Sequence, residues 1–101
     1  RDYIEMHLEE KIHAKDLANL VGYTEYYLTH RFKEETGLSF NDYVKHAKIR
    51  RAQILLRNTD IPVQELSDLL CFSSRNYFSR VFSEIVGCTP VAFREKSNQD
   101  T

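Results

Sequence analysis

The chain repeats itself. Leu17, Gly22 and Tyr23 recur as Leu66, Cys71 and Phe72 at an offset of 49, and Tyr27, Leu28, Phe32, Gly37 and Tyr43 recur as Tyr77, Phe78, Phe82, Gly87 and Phe93 at an offset of 50. The extra residue falls between Tyr23 and Tyr27, where a turn absorbs an insertion at least cost. Each copy therefore reads as a short helix, a tight turn bearing an aromatic residue, and a longer helix. A repeat of this kind restricts the chain to architectures that accept two equivalent units.

Punctuation along the chain agrees. Three glycines and two prolines are the main breakers in 101 residues, and between them the apolar residues recur at three- and four-residue steps. Ile4, Leu8 and Ile12 mark a first amphipathic helix, and Leu17, Leu20 and Val21 a short second one ending near Gly22. Thr24 suits the N-cap of a third helix carrying Leu28 and Phe32, with Glu25 well placed at its positive end. Gly37 suits its left-handed C-terminal stop. Ser39 and Asp42 form a capping pair ahead of a long helix from about Asn41 to Arg57, whose buried set is Tyr43, Val44, Ala47, Ala52, Leu55 and Leu56. Pro62 fits the first turn of a fifth helix with Val63, Leu66, Leu69 and Leu70. Ser73 or Ser74 caps a sixth with Phe78, Phe82 and Ile85, and Thr89-Pro90 opens a last helix through Arg94. The fold class is all-α with about seven helices, and no alternating segment is long enough for a strand.

Composition removes other classes. With 42% hydrophobic and 29% charged residues the chain supports one core-forming domain and is not disordered. Cys71 and Cys88 form neither a disulfide framework nor a C-x-x-C zinc pair and read as small buried residues of a reducing compartment. No apolar run approaches a membrane span, no signal peptide is visible, and no cofactor is indicated. A start at Arg1 rather than methionine reads as a piece of a longer protein. His7, His13, His30 and His46 make no i,i+4 ligand pair, and Glu34 and Glu35, being adjacent on a helix, point apart, so neither metal nor acid–base catalysis is expected.

A short helix, a turn and a second helix is the helix-turn-helix unit, which also serves as plain bundle packing. The outward residues tip the balance. In the sixth helix Tyr77, Phe78, Val81 and Phe82 are the inward set, leaving Arg75, Asn76, Ser79 and Arg80 outside, with no acid before Glu84. Arg pairs bidentately with guanine, Asn with adenine, and Ser with base or phosphate. The third helix offers Tyr26, Thr29, His30 and Lys33 behind Glu25, a weaker reading face. Net charge is −1 overall, but it is uneven. Residues 1–38 carry five basic against eight acidic residues, residues 39–57 five against Asp42 alone, and residues 58–101 four against six. Lys45, Lys48 and Arg50 on the central helix, with Lys33, are the candidate phosphate contacts.

These residues resemble the AraC/XylS family of bacterial transcription regulators. The likeness covers nearly the whole chain, through Leu17-Ala18, Val21-Gly22-Tyr23, Phe32-Lys33 and Glu35-Thr36-Gly37 in the first unit. In the second it runs through Ile61, Glu65-Leu66, Phe72, Tyr77 to Phe82, Gly87, Thr89-Pro90 and Phe93-Arg94. The resemblance implies a single DNA-binding domain with one helix-turn-helix in each lobe, residues 1–38 and 58–101, joined by a linker helix at 39–57. It implies base contacts at Tyr26, Thr29, His30, Arg75, Asn76, Ser79 and Arg80, in successive major-groove segments about 34 Å apart. A linker of this length, roughly 25 Å, suits that spacing. The implied partners are double-stranded DNA, RNA polymerase and an effector or dimerisation domain of the full-length protein, in the cytoplasm and away from membranes. Two departures stand out. His30 replaces a frequent arginine, and Cys71 replaces the glycine of the second turn, where a left-handed backbone costs ~1 kcal/mol. The competing reading is a helical protein-interaction module, which would show a contiguous exposed apolar patch rather than a ridge of Arg75, Asn76 and Arg80.

Overall fold

A computed structural model describes residues 2–99. Among them are seven helices and no strand: α1 (Asp2–Met6), α2 (Ala14–Val21), α3 (Glu25–Thr36), α4 (Phe40–Asn58), α5 (Val63–Leu69), α6 (Arg75–Val86) and α7 (Pro90–Gln99). The chain forms two compact units, 1–47 and 48–101, so the division falls inside α4.

The same local chemistry sets the boundaries in both units. The Thr24 hydroxyl accepts the Tyr27 N–H at 3.1 Å and starts α3, while the Ser74 hydroxyl accepts the Tyr77 N–H at 3.0 Å and starts α6. The sixth helix is thus capped by Ser74, the second of the two candidate serines. Each such bond satisfies one of the N–H groups left without an intrahelical partner. Ser39 and Thr89 repeat the device for α4 and α7, accepting from Asp42 and Ala92. The turns close alike: the Tyr23 N–H donates to the Ala18 carbonyl, and the Phe72 N–H to the Ser67 carbonyl. Such a turn needs a left-handed residue just before the donor. Gly22 supplies it at φ 80°, and Cys71, without glycine's freedom, is held there at φ 60°. Pro62 occupies the N-cap of α5 rather than its first turn, and α7 runs five residues past Arg94.

In the first unit the buried apolar residues are Ile4, Leu8, Leu17, Ala18, Phe32, Phe40, Tyr43, Val44 and Ala47. Phe32 meets Phe40 and Tyr43 edge-on, with centroids 5.3 and 4.9 Å away. Leu20 and Val21, expected inside, are 67% and 49% exposed, and Ile12 is only half-buried. In the second unit Ile49, Ala52, Leu56, Val63, Leu66, Leu70, Phe78, Val81 and Phe82 are buried, and Phe78, Phe82 and Phe93 form a chain of ring contacts. The Arg94 guanidinium donates to the Leu56 and Thr59 carbonyls, both at 3.2 Å, and so closes the C-terminal end of α4. Among the described residues no helix is long and apolar enough to cross a membrane.

Candidate nucleic-acid interface

The caps decide what α3 and α6 show to solvent. With Ser74 as N-cap, Arg75 and Asn76 fall on the first turn of α6 and are exposed, and Arg80 is exposed one turn on. Ser79, between them, is half-buried. Burying Phe78, Val81 and Phe82 turns the opposite face outward. The Arg80 guanidinium lies 5.2 Å from the Tyr77 ring centroid, a cation–π contact that steadies a long side chain without using its five donors on protein acceptors. No acid stands in the first turn of α6. This ridge carries two guanidinium groups and an amide, the groups that pair bidentately with guanine and adenine.

The α3 face differs. Tyr26 is exposed and stacks on His30, with centroids 5.4 Å apart and planes inclined by 16°. His30 also lies 3.7 Å from the Glu34 carboxylate. The Thr29 hydroxyl donates to the Glu25 and Tyr26 carbonyls of its own helix, so it faces a base as an acceptor. Lys33 is exposed. A polar groove of 710 Å³ runs beside this face, and Thr29, His30 and Lys33 share it with His13, Lys15 and Asn41. The sequence reading missed those last three. For His13 and Lys15 the signal was position, since they stand at the start of α2, the first helix of the helix-turn-helix pair and the one that crosses the backbone in such motifs. Asp16 and Glu25 also line the groove and temper its charge.

On α4, Arg50 is exposed and Lys45 half-buried. Lys48 is not a phosphate contact. It is only 6% exposed, and its ammonium donates to the Leu70 carbonyl at 2.7 Å and sits 5.9 Å from the Phe72 ring centroid. The hydrogen bond and the ring retain the charge inside the second unit, where burial pushes its pKa down. Its place in one i,i+4 row with Val44, Ala52 and Leu56 was the overlooked signal.

Among the described residues no group of three or more His, Cys, Asp or Glu is placed to hold a metal ion. The sequence pattern of the family described as "Helix-turn-helix domain" matches residues 17–96, both units together. The chain belongs to the AraC/XylS family. It is 31% identical over 99 residues to the regulatory protein PocR of Salmonella typhimurium, covering 98% of this chain and 33% of that protein. It is 39% identical over 72 residues to the transcriptional activator RhaR of an Enterobacter strain, covering 71% of this chain and 26% of that one. The chain therefore spans a third or less of the length of these relatives. Among solved structures, a Chromobacterium violaceum transcriptional regulator with an AraC-type DNA-binding domain superposes with a TM-score of 0.91 at 26% identity, over 99% of this chain and 89% of that one. An AraC-type domain of this kind is a DNA-binding part of a transcription regulator and not an enzyme.

Proposed function

We propose that the two helix-turn-helix units read one double-stranded DNA site, α3 and α6 each entering its own major-groove segment. The domain plan that goes with this is a lobe at 1–38, a linker helix at 39–57 and a lobe at 58–101. Arg75, Asn76, Ser79 and Arg80 take base contacts in one segment, and Tyr26, Thr29 and His30 in the other. Lys33, Lys45 and Arg50 meet phosphate, joined by Lys15 from the groove beside α3. The observation that carries this reading is the acid-free, exposed ridge of Arg75, Asn76 and Arg80 on the helix that follows the turn. The stacked Tyr26 and His30 pair on α3 offers ring edges and faces instead of charge. In the full-length protein we place this domain beside an effector or dimerisation domain, acting in the cytoplasm on transcription by RNA polymerase. The relatives' greater length supports the further domain.

Selection of bound duplexes from a random pool tests the reading directly. The expected product is a site with two preferred blocks centred one helical turn apart, bound with a steep salt dependence. Recovery of a single block, or of no preference at all, would count against two reading helices.

A further inference from the structure

The offset of 50 that aligns α3 with α6 also pairs their outward residues. Glu25 answers to Arg75, Tyr26 to Asn76, Thr29 to Ser79 and His30 to Arg80. Neither guanidinium of α6 has a counterpart on α3, and a phenol ring stands where α6 carries its amide. What α3 presents instead is mainly apolar. Tyr26 is 75% exposed, and its stack on His30, four residues on, lays the ring along the helix. Thr29, on the same face, is half-buried like Ser79 and differs from it by one methyl group. Its hydroxyl donates to the Glu25 and Tyr26 carbonyls at 3.0 and 3.1 Å. With the hydroxyl held against its own helix, the methyl group is the part of Thr29 free to meet a base. The His30 Nε2 lies 3.7 Å from the Glu34 carboxylate, so that ring edge too is engaged along the helix.

In the major groove the base pairs present acceptors, amino donors and one apolar feature, the C5-methyl group of thymine. We infer, resting on the placement of α3 in a major-groove segment, that α3 reads thymine. The Tyr26 ring and the Thr29 methyl group close on the thymine methyl and take it out of water, a favourable contact that needs no directional bond. Glu25, exposed on the first turn of α3, adds discrimination, because its carboxylate is repelled by the O6 and N7 acceptors of guanine. The two units then divide the chemistry of one site: α6 reads purines through hydrogen bonds, and α3 reads a methyl group through apolar contact.

The test resynthesises the duplex selected from a random pool with each thymine replaced in turn by deoxyuridine, which removes the methyl group and keeps every hydrogen-bonding group. Each duplex is titrated at fixed salt with wild type, Thr29→Ser, Tyr26→Ala and Arg80→Ala. Thr29→Ser deletes only the methyl group and retains the hydroxyl. At one or more thymines wild type should lose affinity about four-fold, the worth of one methyl group taken out of water. With Thr29→Ser or Tyr26→Ala the same replacement should cost less than about two-fold, whereas Arg80→Ala should leave the full penalty, as expected for uncoupled sites. A selected site without a preferred thymine, indifference of every thymine to the replacement, or a penalty unchanged in both α3 variants overturns the inference and leaves two reading helices standing. A penalty abolished by Arg80→Ala alone assigns the methyl contact to α6 and overturns it as well. Selection of a single block, or of none, is the separate failure of the two-helix reading and takes the inference with it.

Discussion

α3 and α6 begin on the same kind of hydroxyl cap and end on the same kind of left-handed glycine, Gly37 and Gly87. They nevertheless offer different chemistry. α6 shows two guanidinium groups and an amide over a first turn without acid, whereas α3 shows a phenol, a hydroxyl and an imidazole behind Glu25. Beneath the helices the contrast reverses in kind. The second unit buries an ammonium and a hydroxyl, Lys48 and Ser67, while the first leaves Leu20, Val21 and Tyr23 in solvent. A duplicated backbone plan thus tolerates divergence on both faces, because the caps and turns that define it use few positions and leave the rest free to change.

The largest expected effect breaks the symmetry on DNA. Arg80→Ala should cost ~1–3 kcal/mol at the selected site and far less on a scrambled duplex, since a bidentate guanine contact carries specificity. His30→Ala should cost less, because its imidazole supplies no permanent charge. Paired binding titrations at fixed salt measure both, and a larger loss of specificity from His30→Ala would move the main reading role to the first unit.

Next comes the buried cation of the second unit. Lys48→Ala removes a charged hydrogen bond and leaves the Leu70 carbonyl unpaired, so urea unfolding should show a loss of about 2 kcal/mol. Lys48→Met keeps much of the packing and gives a reference for pH. Burial holds the folded Lys48 below its ordinary 10.5, so over a window just under that value the unfolded chain binds more protons. Wild type should therefore gain stability relative to Lys48→Met as pH rises through that window. A difference between the two that is flat across it would contradict a buried, charged Lys48.

Ser67 sharpens the comparison in the other direction. Its hydroxyl is buried without a hydrogen-bond partner, and its counterpart in the first unit is the equally buried Ala18. Ser67→Ala should stabilise the chain by about 1 kcal/mol, and Ala18→Ser should destabilise it by a similar amount. Unfolding midpoints of the two variants moving in the same direction would refute the equivalence of these sites.

The smallest expected effect is in the turns. Cys71 holds at φ 60° the position that Gly22 holds at φ 80°. Cys71→Gly should relieve the left-handed strain and raise stability by somewhat under 1 kcal/mol, the gain being offset in part by the greater freedom of glycine in the unfolded chain. A drop in the unfolding midpoint would mean that the half-buried thiol contributes more than the strain costs.

Much of this was legible in the residues. The repeat, the helical class, the caps at Thr24, Ser39 and Ser74, the stops at Gly37 and Gly87, and the exposed positions of Arg75, Asn76 and Arg80 are all local matters. They depend on which hydroxyl reaches which N–H, which residue tolerates positive φ, and which face a 3.6-residue period turns away from an apolar stripe. The sequence by itself determined those. Tertiary structure decided the fates of Lys48, Val21 and Ser67. Period assigns a residue to a face, but it does not say what lies against that face. Lys48 looks like any surface lysine until the end of α5 and the Phe72 ring are brought to it, and Val21 looks like core until it is found half open to solvent. Burial is a property of neighbours distant in the chain, and the cost or gain of a charge or an apolar group is settled only when those neighbours are in place.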